Sequence, residues 1–328
     1  MKAQQLTRFT HSRWMLILVA LAVVPSALLA YRSMPIDYIG GDRGLLYPSA
    51  NLWITDHFVE MWVNIGVTFA MAALMIALNR TFNLLKTMTL LDSSLFLVMS
   101  MSTPWLLVQF HTGTVLTLTL LLCLFLLYST YANPDGLKRV FLIFAILSAM
   151  SMTQYCYVVY MPVFIIGCAQ MRIFGARTVS AIVLGIVTPW WIVLGSGLAS
   201  VHDIHMPQMA ALFNSFDIVE NLGLVMAVLL STALLLIGWT LHFPRMIAYN
   251  AHMRAYNGTL SVLALVTLIA ICADFANISA YAPTLFMCSA FYISRMFASK
   301  QAPNSYMAIL FIVFLYAMLY TGDIRALI

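Results

Sequence analysis

Residues 32–60 read RSMPIDYIGGDRGLLYPSANLWITDHFVE, the longest polar interval of the chain. Asp37, Asp42, Asp56 and Glu60 all lie in it, four of only 11 acidic residues, so the carboxylates are concentrated in one connection. Asp37 and Asp42 belong to DYIGGDRG, where Gly40 and Gly41 permit a tight turn because glycine adopts positive φ at little cost. A carboxylate held there can act as a general base, or can bind a divalent cation together with water and phosphate oxygens. Arg43, beside Asp42, can pair with it or clamp a phosphate with its forked guanidinium. The competing reading is a solvated surface loop. Asp56 and Glu60 flank His57 at the start of the next apolar run, four residues apart on one helical face. There, complementation of the helix dipole accounts for the acids without any chemistry.

Other polar residues interrupt apolar segments. His111, with Gln109 in TPWLLVQFHTG, sits at the end of a run as a phosphate or sugar contact or a solvated loop residue. Gln154 lies in SMTQYCYV, at a polar break inside an otherwise apolar stretch. The VHDIH segment holds His202, Asp203 and His205, a set chemically competent for a metal but equally a loop open to water. Asp92 lies about one turn inside an apolar run, where an ionisable group is a functional candidate by default, though Arg80 and Lys86 are close enough to satisfy it at an interface. No CxxC or HExxH pattern occurs, and the 5 cysteines, an odd number in apolar segments, do not form a disulfide framework.

The elements that must position these residues are apolar helices. The chain is 63% hydrophobic and 8% charged, against about 25% charged in soluble domains, which excludes an ordinary soluble fold. Apolar runs near the length needed to cross roughly 30 Å of hydrocarbon recur along the whole chain. The expected fold is therefore all-α: a polytopic membrane bundle of about eleven transmembrane helices in a single domain. The spans are 14–31, 61–78, 88–109 (interrupted by Pro104), 113–131, 140–153, 156–171, 178–198, 220–241, 258–275, 282–298 and 304–322. The first, with Lys2, Arg8 and Arg13 ahead of it, reads as a retained signal-anchor, although ALLA at 27–30 resembles a cleavage site. The pair at 140–171 is too long for one crossing and short for two, so the chain turns near Thr153 and Gln154 beside an outward cavity. With the N-terminus cytoplasmic and the C-terminus external, every Lys and Arg except Arg32, Arg43 and Arg325 falls inside, as orientation bias requires. That bias explains the net charge of +5, and with no basic run and no aromatic platform, no nucleic-acid partner is expected.

Three features together resemble the GT-C superfamily, the multi-span glycosyltransferases that use polyprenyl-phosphate-linked donors. These are the acidic external loop after the first span, the hairpin FLIFAILSAMSMTQYCYVVYMPVFIIG, and the following IVLGIVTPWWIVLG. STPWLLVQFHTGTVLTLTLLLCLFLLYS is similar to spans 3 and 4 of that fold, so the likeness covers 14–198, with 199–328 as additional membrane helices. The organisation is also similar to a multi-span inner-membrane family of Bacteroidota. The resemblance implies a GT-C-like arrangement in the first seven spans and transfer of a sugar from a polyprenyl-phosphate donor at the external face of a bacterial inner membrane. It implies a catalytic carboxylate at Asp37 or Asp42, with Arg43, His111 and Gln154 approaching the donor phosphate. In this chain Asp37 is followed by Tyr38 rather than by a second acid, and Gln154 replaces the basic residue usual in the hairpin. The alternatives are a non-catalytic membrane subunit of an envelope assembly, with a membrane-protein partner, and a transporter. The near absence of charge within the spans weighs against the transporter.

Overall fold

The computed structural model describes residues 12–33, 44–85, 89–133, 136–204, 221–246, 249–297 and 305–327. Among these, all regular structure is helical. The helices are α1 (Arg13–Ser33), α2 (His57–Phe82), α3 (Leu91–Met101), α4 (Pro104–Val108), α5 (Thr112–Tyr128) and α6 (Leu137–Ser151). They continue with α7 (Cys156–Gln170), α8 (Ala176–Gly195), α9 (Leu222–Met246), α10 (Ala251–Ala273), α11 (Ile278–Phe297) and α12 (Ser305–Leu327). Short 3-10 turns at Ala50–Leu52, Val201–Asp203 and Phe275–Asn277 lie in the connections.

Local chemistry sets the boundaries that matter for function. Asp56 caps α2, its Oδ1 accepting from the backbone N–H of Phe58 at 2.9 Å and of Val59 at 3.4 Å. Asn83 ends α2 in the left-handed region (φ 51°), which asparagine tolerates better than most residues. Proline has no N–H and keeps the preceding residue out of the helical region. Pro104 therefore starts α4 and breaks it from α3, with Thr103 at φ −115° and ψ 82°. The carbonyls of Leu106 and Leu107 in the short α4 are both taken by Asn64 Nδ2 of α2, each at 2.8 Å.

Helix α11 is the axis of the packing. Eighteen of its 20 residues are buried, and α3, α5, α9 and α10 all lie against it. Close approaches depend on glycine: a Cβ on Gly113 of α5 would lie 2.5 Å from the Ser279 carbonyl oxygen, and one on Gly185 of α8 would lie 2.7 Å from that of Phe141. At the periphery, only 17% of the apolar window of α8 and of α12 is covered by protein, leaving side chains such as Trp191, Phe311 and Phe314 facing outward.

The expected eleven spans are not what the structure contains. Six helices among the described residues are long and apolar enough to cross a membrane: Arg13–Ser33, His57–Phe82, Ala176–Gly195, Leu222–Leu241, Ala251–Ala273 and Tyr306–Asp323. The segments read as spans at 88–109, 113–131, 140–153, 156–171 and 282–298 form broken, short or protein-enclosed helices instead. Pro104 divides the first; Thr112–Tyr128 and Cys156–Gln170 are apolar but fall short; and α11, though 20 residues long, is not apolar enough and is enclosed by protein. A run of apolar residues reads alike whether lipid or a neighbouring helix covers it, and that ambiguity inflated the count. The seven GT-C-like spans go with it, since within 14–198 only α1, α2 and α8 meet the requirement.

Charge segregates along the bundle. Arg139 reaches the Ser129 carbonyl and Arg295 the Leu84 carbonyl, at the end that also carries Arg13 and Arg80. Asp56, Glu60 and Asp274 lie at the opposite end, where Asp323 meets Gly223 at the start of α9. Arg32 and Arg325 at the acidic end and Asp92 at the basic end are the exceptions.

Candidate functional site

At the acidic end, four connections are tied together by polar contacts. Gly44 to Tyr47, directly after the DYIGGDR segment, rests on the turn between α6 and α7. The N–H groups of Leu46 and Tyr47 both donate to the Met152 carbonyl, at 2.8 and 3.2 Å. A Cβ at Gly44 would run into the carbonyl oxygens of Thr153 and Tyr47, so the residue is glycine because two backbones meet there. Asn51 Oδ1 accepts from Thr112 N at 2.9 Å and from its hydroxyl at 3.2 Å, fixing the same loop to the start of α5. Glu60, buried to 5% exposure, accepts the Phe110 N–H at 2.8 Å and faces His57 Nδ1 at 3.2 Å.

The residues singled out in the sequence separate into three groups. Asp37, Asp42, Arg43 and His205 lie outside the described residues. His111 and Gln154 lie in the tied region, and both are buried rather than solvated. His111 Nδ1 stands 2.9 Å from the Thr114 hydroxyl and 3.2 Å from the Gln109 carbonyl, while its Nε2 is buried without a partner among the described residues. Burial pushes this imidazole down from its ordinary value to about 4, so it is neutral at neutral pH. If Nδ1 accepts from Thr114, Nε2 carries the proton and is a free donor; if Nδ1 donates to Gln109, Nε2 is a free acceptor. Gln154, in the turn beside Gly44, likewise buries its Oε1 without a partner among the described residues. His202 and Asp203 form the third group, far along the chain and exposed. Asp203 Oδ2 accepts the Ser200 N–H at 2.8 Å, which makes it the cap of a local turn. Among the described residues, no three His, Cys, Asp or Glu side chains are grouped to hold a metal ion.

The most developed polar cluster was not singled out in the sequence. Asp274, 7% exposed between α10 and α11, accepts from Tyr155 Oη at 2.5 Å, Tyr281 Oη at 3.0 Å and Asn277 Nδ2 at 3.0 Å. Asn277 Nδ2 also donates to Tyr155 Oη at 2.6 Å, so that hydroxyl both gives and takes a bond. Tyr155 follows Gln154, so the cluster anchors the residue after the one whose acceptor is free. Only the Asp274–Asn277 spacing is legible locally; Tyr155 is 119 residues away. Asp92, at the other end, is fully buried in the first turn of α3, and no side chain among the described residues partners its carboxylate.

The arrangement is a hydrogen-bonded polar rim on an apolar bundle, in which one ring nitrogen of His111 and the amide oxygen of Gln154 are buried without a partner among the described residues. Both are uncharged, so they can orient a hydroxylated or phosphorylated group but cannot neutralise it. Fold and composition together define an all-α, multi-pass membrane protein. In comparison with known proteins, no family model matches the chain, and no curated sequence or solved structure is similar to it.

Proposed function

We propose that the protein transfers a sugar, or a related group, from a polyprenyl-phosphate-linked donor at the acidic face of its bundle. The carrying observation is the docking of Gly44–Tyr47 on the Met152–Thr153 turn, because Asp42 and Arg43 immediately precede Gly44 in the chain. In this reading the Asp37 or Asp42 carboxylate takes the proton from the acceptor hydroxyl as its oxygen attacks the sugar carbon. The donor's C–O bond breaks and the lipid phosphate leaves, with Arg43 balancing its charge. Gln154 Oε1 accepts from a donor hydroxyl, and His111 Nε2 bonds the substrate through whichever role its tautomer leaves free. The lipid tail lies against the exposed apolar faces of neighbouring helices. The acidic face is external to a bacterial inner membrane, with the N-terminus cytoplasmic and the C-terminus external; the gathering of arginines at the other end supports this orientation.

The test is to make Asp37→Asn and Asp42→Asn separately and measure envelope glycan in cells alongside protein level. Loss of glycan at normal protein level supports transfer. Unchanged glycan in both, with a membrane protein that co-purifies stably, identifies a non-catalytic subunit and overturns the proposal.

A further inference from the structure

The opposite end of the bundle holds a half-open cavity of about 500 Å³ between the start of α1, the end of α2 and the approach to α3. Ser12, Arg13, Trp14, Asn79, Arg80 and Thr89 supply its polar and aromatic lining, with Ile76 and Leu90 completing it. Arg13 and Arg80 both line this space, and among the described residues no carboxylate does. The sole ion pair among the described residues is His57–Glu60, at the other end, so neither Arg13 nor Arg80 is neutralised by a described partner. Asp92, two residues past Leu90, is fully buried and does not enter the lining.

The wall is built rather than incidental. Asn79 donates from Nδ2 to the Thr89 carbonyl at 3.2 Å and accepts the Leu85 N–H on Oδ1 at 3.0 Å. With Asn83 turning the chain in the left-handed region, those two bonds hold Thr89 against the end of α2, next to Arg80. The Thr89 hydroxyl is buried there without a hydrogen-bond partner among the described residues. Trp14, 62% exposed at the first turn of α1, has the amphipathic ring that settles at a lipid–water boundary. Glu60 and Arg80 lie twenty residues apart on α2, roughly 30 Å at 1.5 Å per residue, so this cavity and the acidic rim occupy opposite ends of one long helix.

We propose that this cavity is a binding site for a phosphate ester, with Arg13 and Arg80 gripping the phosphoryl oxygens and Thr89 donating the third contact. The volume exceeds what one phosphate fills, and Trp14, Ile76 and Leu90 give the remainder an apolar wall, which suits the headgroup and glycerol of an anionic lipid. A water-soluble phosphoester has the same recognition chemistry. The site involves neither Asp37 nor Asp42 and stands independently of the transfer reaction.

The test is native mass spectrometry of the full chain released from nanodiscs of equal phosphatidylglycerol and phosphatidylcholine, repeated with inorganic phosphate added. The wild type is expected to retain phosphatidylglycerol selectively. Each of Arg13→Gln and Arg80→Gln should weaken retention about tenfold, the scale of one charge-assisted contact. Arg13→Lys and Arg80→Lys should weaken it as well, because an ammonium keeps the charge but loses the fork. If lipid selectivity is absent but inorganic phosphate raises the thermal stability of the wild type and not of the glutamine variants, the site takes a soluble phosphoester. If the lysine variants bind as the wild type does, the attraction is diffuse surface charge and the proposal fails. It fails equally if both glutamine variants keep wild-type retention. Both arginines are exposed, so the variants should fold, and an unchanged elution volume in size exclusion verifies it.

Discussion

Asp274→Ala is the perturbation whose size the structure best defines. The carboxylate receives two tyrosine hydroxyls and one amide, and Tyr281 is wholly buried. A hydrogen bond to a charged group is worth about 1.5–3 kcal/mol, and a buried donor left unpaired costs about 1–3 kcal/mol. Tyr155 and Asn277 retain their mutual bond when the carboxylate is gone, so the terms do not simply add. The expected loss is about 4 kcal/mol. Tyr281→Phe removes one of those bonds and should cost about 1.5 kcal/mol. Asp274→Asn falls between, since one oxygen can serve both tyrosines while its amide opposes that of Asn277. Unfolding can be followed in mixed dodecyl maltoside and dodecyl sulfate micelles with a thiol-reactive dye on a Cys272→Ser background. The remaining cysteines, Cys123, Cys156, Cys168 and Cys288, are buried and react only on unfolding. The reasoning is refuted if Asp274→Ala costs under about 1 kcal/mol, or if Asp274→Ala and Tyr281→Phe are additive to within about 0.5 kcal/mol, since partners in one network must couple.

Other consequences can be checked with the same preparation. Gly113→Ala should destabilise by about 1–3 kcal/mol, because its new methyl group would press on the Ser279 and Ala280 carbonyls, whereas Gly66→Ala, with open space at its Cβ, should not. Gly44→Ala should release the 44–56 loop from the Met152–Thr153 turn, read as faster limited proteolysis of that loop with the rest of the chain intact. His111 binds its proton more weakly when folded than when unfolded, so the unfolded state takes up more protons between about 6.5 and 4. Stability should hold above pH 6.5 and fall as pH drops through that window, by at most about 1.4 kcal/mol per pH unit, and His111→Gln should flatten the profile. A water-soluble maleimide should label Cys272 alone in the native protein and all 5 cysteines after denaturation.

The membrane class was legible because apolar composition this extreme has one physical outlet. So was the turn at Thr153 and Gln154, where polar residues interrupt a stretch too long for one helix; α6 ends at Ser151 and α7 starts at Cys156. The number of spans was not legible. The run 282–298 reads as a span, yet α11, though long enough to cross, is less apolar than the six candidate helices and packs against α3, α5, α9 and α10. Nor was the burial of His111, two residues before the point where Gly113 lets α5 approach the Ser279–Ala280 backbone across the bundle. The Asp274 cluster escaped for the same reason, since three of its members come from the ends of three different helices.

Buried polar groups in the bundle are satisfied in different ways, and the candidate atoms belong to the part that is not satisfied. Most buried hydroxyls bond back to their own helix: Thr68 to the Asn64 carbonyl, Thr117 to Gly113, Thr267 to Leu263 and Ser289 to Leu285. A hydroxyl can do this because its one donor reaches the carbonyl a turn earlier, so it costs little inside an apolar bundle. An amide or an imidazole cannot, since each carries a second polar atom that needs a partner elsewhere. Asn79 spends both of its atoms on the wall of the arginine cavity, while Asn64 gives its Nδ2 to α4 but leaves Oδ1 buried without a described partner, as Asn257 leaves both of its atoms. His111 and Gln154 each leave one atom buried and unspent. In an apolar surround such an atom is costly to maintain, and two of them flank the loop that leads to Asp42 and Arg43. A substrate that supplies the missing hydrogen bonds would recover that cost on binding, so Gln154→Leu and Gln154→Met, which keep the volume and remove the unpaired oxygen, should weaken binding while costing the empty protein less than about 1.5 kcal/mol.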